Sequence, residues 1–135
     1  MYELDCPFCL EEATITSPDI SMGGVIWRGH FCYVKYDAYA VTKHHCLVIP
    51  YAHVESYFDL ALRERQEMDK ALFWAKTYLE ALDDTIASFN MGINDGEQAG
   101  QTIPHCHIHL IPRRLGDTVN PRGGIRGVIP EKQDY

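Results

Sequence analysis

Residues 100–112 read Gly100-Gln-Thr-Ile-Pro-His105-Cys-His107-Ile-His109-Leu-Ile-Pro112, with three histidines at alternate positions after a glycine-led turn. Successive side chains of an extended strand point to opposite faces, so the pattern predicts a strand over 105–111 whose histidines share one face. Cys106, Ile108 and Leu110 then form an apolar face. Same-face neighbours lie roughly 6.6 Å apart, so we expect a metal, a phosphate or water between the rings.

Three interpretations fit these histidines. They lie on a half-exposed strand without a special function, or they bind zinc together with further ligands from elsewhere in the chain. In the third interpretation, one neutral imidazole attacks phosphorus while a more basic neighbour donates a proton. The glycine-bracketed turn, with the hydroxyl of Thr102, suits an anion such as phosphate. The stretch is therefore the predicted reaction centre.

The composition is that of one globular domain spanning residues 1–135, with 46% hydrophobic and 23% charged residues. There is no long apolar run and no basic-then-apolar start, so neither a membrane span nor a signal peptide is expected, and the cytoplasm is the predicted location. Nineteen acidic against twelve basic residues give a net charge of −7. This charge disfavours long nucleic acid as a partner but permits a single nucleotide.

Four arginines follow the histidines, and we interpret them either as a phosphate-facing patch or as ordinary surface charge. They are Arg113, Arg114, Arg122 and Arg126.

Five cysteines in a chain without secretory signals predict thiols or a metal site. The pair in Cys6-Pro7-Phe8-Cys9 permits a redox dithiol or half of a zinc site. No convincing amphipathic helix follows over 10–18, which favours zinc. Cys32, Cys46 and Cys106 lie in apolar runs and are predicted to be buried, inert thiols.

The remaining patterns predict an α+β domain, with an antiparallel β-sheet and one long helix. Strands are expected over 25–36, broken near Gly29, and over 46–50 and 85–92. Apolar residues spaced by three and four predict the helix over 59–83, with Phe73 and Trp74 partly off the stripe and facing a sheet edge or a subunit contact. The segment 120–130 is predicted to be a loop with a short strand.

The stretch 100–113 resembles the signature of the histidine triad (HIT) family of nucleotide hydrolases and transferases. The resemblance extends to Asp37, to His45-Cys-Leu-Val-Ile-Pro50 with His53, and to Asn94-Asp-Gly. It covers residues 6 to about 114, leaving 115–135 as a C-terminal extension, and it implies a HIT-like fold and a homodimer.

The resemblance implies that His107 attacks the α-phosphate of a nucleotide and is transiently nucleotidylated, before water releases the mononucleotide. His109 and Gln101 would contact the phosphate or the departing group, and His45 would support the hydrogen-bond network. Asp37 would bind the ribose. The implied substrate contacts are Asp37, Asn94, Gly100, Gln101, Thr102, Ile103 and His109.

In family branches that begin with a Cys-x-x-Cys pair, the resemblance implies a structural zinc held by Cys6, Cys9, His53 and His105. Four protein ligands close a tetrahedral site and leave no position for substrate. No organic cofactor is implied. One departure is His44, which stands where the family usually has glycine and whose side chain is predicted to be exposed.

These residues predict a hydrolase of dinucleoside polyphosphates or adenosine phosphoramidates. His109 favours hydrolysis, because the related transferases carry glutamine there. The alternatives are a nucleotide-binding scaffold protein with incidental turnover and a thiol redox module. Arg122 and Arg126 are predicted to close over a substrate or a partner subunit.

Overall fold

The computed structural model describes residues 6–11 and 23–135, and within these ranges five strands form one antiparallel sheet. The helices are α1 (Pro7–Glu11) and α2 (Leu62–Leu82). The strands are β1 (Val25–Arg28), β2 (Cys32–Tyr36), β3 (Cys46–Pro50), β4 (Ser88–Gly92) and β5 (Ile108–Arg113), in the order β1-β2-β3-β5-β4. The predicted α+β class, with one long helix, is confirmed. None of the described helices has the length and apolar character needed to cross a bilayer.

One face of the sheet packs against α2. Met68, Ala71, Ala75 and Leu79 supply the buried face of the helix, at the predicted spacing of three and four. They meet alternate strand residues on β2, β3 and β5, including Val34, Val48, Ile108 and Leu110. This is the main apolar core.

The opposite face carries a second, smaller cluster under α1. Tyr33, Leu47 and Ile49 of the sheet pack there with Phe8 and the two cysteines that flank it. Because both faces are covered, every residue of β2 and β3 is buried. The candidate site lies on this second face.

The strand that carries the histidines begins at Ile108, so the prediction of a strand over 105–111 is wrong at its start. Before that point the backbone bonds elsewhere, because the N–H of Cys106 donates to the carbonyl of Val54 at 2.7 Å and that of His105 donates to Ile103 at 2.8 Å. Cys106 is nevertheless buried in the α2-facing core, as predicted.

The tail contains no strand among its described residues, which corrects the prediction for 120–130. It forms the 3₁₀ turns Gly124–Val128 and Pro130–Lys132. Frequent proline and glycine break strand pairing there. Arg122 and Arg126 lie over the ring of Tyr135, at 4.4 and 4.7 Å from its centroid.

Trp74 covers the edge strand β1, where its ring lies 6.0 Å from that of Trp27. Phe73, its neighbour in sequence, is 70% exposed. The predicted off-stripe surface is therefore divided between an internal edge contact and solvent.

His44 is buried, so the prediction of an exposed side chain is wrong. Its φ is 73°, and it is the one non-glycine residue with positive φ in the described chain. The ring is 7% exposed and lies 3.5 Å from Asp83 Oδ2 and 5.9 Å from the ring of Tyr36. A left-handed backbone suits glycine, the residue that the family resemblance expects here.

Glu67 of α2 ties the helix to the turn between β1 and β2. Its carboxylate accepts hydrogen bonds from the backbone N–H groups of His30, Phe31 and Cys32. Burial alone would raise the pKa of Glu67, but these hydrogen bonds, led by that of Phe31, lower it. Gly29 completes the turn, since a Cβ there would meet Glu67 and Trp27 at 2.6 Å.

Candidate active site and metal centre

A cleft of about 560 Å³ opens on the α1 side of the sheet. Its walls come from α1, β2, β3, the loop before β5 and the start of β5. All seven implied substrate contacts line it together with His107: Asp37, Asn94, Gly100, Gln101, Thr102, Ile103 and His109. The structure thus brings together residues that are up to 72 positions apart, from 37 to 109.

His107 presents a lone pair to this cleft. Its Nδ1 lies 2.9 Å from the carbonyl oxygen of His105. A carbonyl only accepts hydrogen bonds, so Nδ1 must carry the ring proton. Nε2 of the neutral ring is then unprotonated, which is the state a nucleophile requires.

A second histidine, His45, determines which ring nitrogen of His109 carries the proton. The backbone N–H of Val41 donates to Nδ1 of His45 at 3.1 Å, which leaves the His45 proton on Nε2. That Nε2–H donates to Nδ1 of His109 at 2.9 Å. The neutral His109 ring therefore carries its own proton on Nε2.

The rings of His109 and His45 are both neutral near pH 7. Burial, together with the positive charge that His107 and His45 can carry, lowers the pKa of His109 to about 4, against the opposing effect of Asp37. Burial also lowers the pKa of His45, against the opposing effect of Asp37. The expectation that a more basic neighbour donates a proton stays a prediction, because in the free protein both of these rings are neutral.

Asp37 stands at the edge of the cleft beside these rings. Its Oδ2 lies 3.5 Å from His45 Nε2, and its Oδ1 accepts a hydrogen bond from the N–H of Tyr39 at 2.8 Å. Asp37, His45 and His109 have donor atoms close enough to surround a cation. A cation on His45 Nε2 would force the proton onto Nδ1, against the N–H of Val41, so a hydrogen-bond relay fits these atoms better.

The turn before the histidines is held by the side chain of Gln101. Its Oε1 accepts from the N–H of Gly96 at 2.7 Å, and its Nε2 donates to the carbonyls of Glu55 and Ile103 at 3.0 and 3.1 Å. Both amide hydrogens are therefore used within the protein, one of them inside the loop and one on the distant Glu55. Gly96 and Gly100 both have φ of 98°, which requires glycine in this turn.

Four predicted zinc ligands converge beneath α1, with all donor atoms within 4.8 Å of one another. Nδ1 of His105 lies 3.4 Å from Cys6 Sγ and 3.6 Å from Cys9 Sγ. Nδ1 of His53 lies 3.4 Å from Cys9 Sγ and 3.1 Å from His105 Nδ1. In tetrahedral zinc, S–N and N–N edges of about 3.6 and about 3.3 Å are expected from the usual bond lengths.

The tautomer of His105 agrees with this arrangement. Its Nε2 lies 2.8 Å from the carbonyl of Pro50 and must donate to it, which leaves the Nδ1 lone pair facing the two thiols and His53. The donor set Cys6, Cys9, His53 and His105 therefore fits zinc, and four protein ligands would close such a site.

Phe8 links the metal centre to the cleft. It lies between the two cysteines, and its ring contacts His105 and His107 edge-on, with centroids 5.7 and 5.0 Å apart. Sequence reasoning missed this residue, because an aromatic between two cysteines indicates only burial.

Of the two interpretations of the arginines that follow the histidines, a phosphate-facing patch is not supported, since no arginine lines the cleft within the described residues. Arg113 is held by Asp117, with two bonds of 2.8 Å, and by Asn90 at 2.7 Å. Arg114 pairs with Asp83 at 2.9 Å. Nearby carboxylates thus neutralise these guanidinium groups.

Lys35 was also missed, although it lines the cleft. The available signal was a lysine within an otherwise apolar strand, two residues before Asp37 and therefore on the same face.

Comparison with known proteins agrees with this geometry. The HIT domain family profile matches residues 23–116. Protein hit of Bacillus subtilis is 36% identical over 112 residues, covering 81% of this chain and 71% of that protein. The bis(5'-nucleosyl)-tetraphosphatase [asymmetrical] of Schizosaccharomyces pombe is 40% identical over 73 residues, covering 54% of this chain and 40% of the relative. The chain thus spans less than half the length of that enzyme.

Among solved structures, a Zn-bound histidine triad family protein from Mycobacterium smegmatis is similar, with a TM-score of 0.72 and 27% identity. The match covers 87% of this chain and 81% of that one.

Proposed function

This chain belongs to the HIT domain family, and we propose that it hydrolyses nucleotide conjugates at the α-phosphate with His107 as the nucleophile. The observation that carries the proposal is the hydrogen bond from His107 Nδ1 to the His105 carbonyl, which leaves Nε2 unprotonated at the cleft. The substrate class is a dinucleoside polyphosphate or an adenosine phosphoramidate. Relatives named as nucleosyl and adenosyl polyphosphatases support this class.

The first step forms a bond between His107 Nε2 and the α-phosphorus and breaks the bond from phosphorus to the leaving group. In the complex His109 is an imidazolium, and the proton on its Nε2 passes to the leaving oxygen or nitrogen, which leaves His109 as a neutral imidazole. A bound phosphate raises the pKa of His109 from its low value in the free protein, because its negative charge favours the imidazolium.

In the second step, water hydrolyses the bond between His107 and the phosphorus. Water attacks the phosphorus, His109 takes its proton, and the bond to His107 breaks to release the mononucleotide. Backbone N–H groups of the turn 100–103 and the hydroxyl of Thr102 hold the phosphate oxygens, and Asp37 accepts from the ribose hydroxyls. Positioning and charge stabilisation supply most of the rate in such reactions.

A zinc ion held by Cys6, Cys9, His53 and His105 would supply structural cross-linking only, because its ligand set is closed. The hydrolysis requires no organic cofactor. We further propose a homodimer and a cytoplasmic location; thiolate ligands persist best in a reducing compartment.

Hydrolysis of diadenosine polyphosphates and of lysyl-adenylate and adenosine phosphoramidate tests the proposal. The wild type is expected to release AMP, and His107→Ala to lose at least about 100-fold in kcat. His30→Ala, at an exposed histidine, should leave kcat unchanged. Rapid acid quench and mass spectrometry should find the nucleotidyl adduct on the peptide that contains His107.

Full activity in His107→Ala on every substrate would exclude this mechanism. Tight AMP binding with negligible turnover across the panel would instead support the scaffold alternative.

A further inference from the structure

Lys35 is a buried cation in the wall of the cleft. It is 5% exposed, and it is the only lysine or arginine among the described lining residues. Its ammonium lies 6.0 Å from the centroid of the Phe8 ring and 3.3 Å from the position that a Cβ on Gly23 would take. Lys35 has partners within the protein, and its ammonium brings three N–H donors and no acceptor to the wall of the cleft.

Strand register places Lys35 relative to the reaction centre. Lys35 pairs with Leu47, and Leu47 pairs with His109, so the three side chains form one row across the same face. Two strand spacings separate Lys35 from His109 by about 10 Å. Asp37 directly follows β2, two residues after Lys35, so it shares this face and lies about 7 Å from Lys35 along the chain.

These positions match the order of groups in a nucleotide, if the proposed function holds. With the α-phosphate at His107 and His109 and the ribose at Asp37, the base lies over Leu47 and beside Phe8. The edge of the base then meets the ammonium of Lys35. The apolar walls exclude water and strengthen hydrogen bonds made there.

We propose that Lys35 makes the enzyme select 6-oxopurine bases, guanine and hypoxanthine, over adenine. Guanine offers O6 and N7 as adjacent acceptors, whereas adenine places an amino donor at position 6. An ammonium has three donors and no acceptor, so it opposes that amino group. Three donors also allow Lys35 to keep contacts within the protein while it bonds to a base.

Binding of nucleoside monophosphates measures this preference independently of turnover. Isothermal titration calorimetry should show that the wild type binds IMP and GMP at least about fivefold more tightly than AMP. Lys35→Met, of similar length and without charge, should reduce this ratio below about twofold by weakening IMP and GMP. Lys70→Met, at an exposed lysine of α2, should keep the wild-type ratio.

The kcat/KM values for inosine, guanosine and adenosine 5'-phosphoramidates should follow the same order. Equal or tighter AMP binding by the wild type overturns the proposal without need of any variant, and so does an unchanged ratio in a folded Lys35→Met protein. A preserved IMP preference with no hydrolysis of any conjugate would contradict the proposed function while upholding the role of Lys35.

Discussion

His45 Nε2 lies 2.9 Å from His109 Nδ1, and the N–H of Val41 occupies the other nitrogen of His45. A backbone amide therefore determines which nitrogen of His109 carries a proton. The position of the proton on His109 is thus set by a chain of three groups, of which only the last lines the cleft.

Loss of the His45 donor should impair the chemical step more than binding. His45→Leu is expected to lower kcat about 10- to 100-fold with little change in KM, because His109 can then adopt the wrong tautomer. His45→Gln, whose amide can donate from a similar position, should recover part of the loss. Steady-state kinetics and the ¹⁵N shifts of His109 measure both effects. Equal kcat in the leucine and glutamine variants would contradict the tautomer argument.

Zinc should be present at about one ion per chain. Cys9→Ser removes one of the four converging donors, so zinc is expected to fall well below stoichiometric and the melting temperature to fall by about 10 °C or more. Cys46→Ala, at a buried thiol in the other core cluster, should retain the metal. Elemental analysis and calorimetry provide the readouts. A metal-free wild type with a reversible disulfide between Cys6 and Cys9 would favour the redox alternative.

Glycine should be better tolerated than alanine at residue 44. Both changes remove the contacts of His44, but only alanine retains the cost of a φ of 73°, so we expect His44→Gly to be about 1 kcal/mol more stable than His44→Ala. At the exposed Lys70 of α2 the order should be reversed, with Lys70→Ala about 1 kcal/mol more stable than Lys70→Gly. Urea unfolding of the four variants tests this, and an alanine variant as stable as the glycine variant would rule out strain at His44.

Glu67→Gln should destabilise the fold by about 1–3 kcal/mol near pH 7, because an amide replaces the charged acceptor of backbone hydrogen bonds. The pKa of Glu67 is lowered in the folded protein. Its contribution is therefore complete above the ordinary carboxyl pKa of about 4.3 and is lost as pH falls through the lower folded value.

Denaturant unfolding of wild type and Glu67→Gln at several pH values measures how this contribution to the free energy of unfolding depends on pH. The difference in unfolding free energy between the two proteins should be constant from about pH 6 to 8, where the Glu67 carboxyl is ionised in both the folded and the unfolded wild type. It should become smaller below about pH 4. A gap that widens in acid would contradict the sign of the pKa shift.

The sequence pattern was sufficient to predict those helices and strands whose apolar residues are also the ones that pack in the core. The stripe of α2 and the apolar residues of β2, β3 and β5 satisfy both requirements. The start of β5 was misplaced because the bond from Cys106 to Val54 joins residues that are 52 positions apart, and no local pattern signals it. The burial of His44 likewise depends on Asp83, which lies far along the chain.

For the site, the resemblance predicted residues that the structure places along one cleft, whereas the tautomers and the pairing of charges required coordinates. Nothing in the sequence links Val41 to His45 as a donor, or shows that Arg113 and Arg114 are already paired with acids. Phe8 and Lys35 were missed because their importance comes from the second face of the sheet, where α1 and β2 meet.

The proposed metal ligands Cys6 and His105 are separated by 99 positions. An ion at this centre would act as a staple that closes most of the chain into a loop, and the entropy lost in closing so long a loop weakens the apparent affinity for the metal. During synthesis such a staple cannot close until the last ligand leaves the ribosome, by which time α2 and four of the five strands have already been made. Metal loading would then be a late event, and one that completes the wall of the cleft at Phe8.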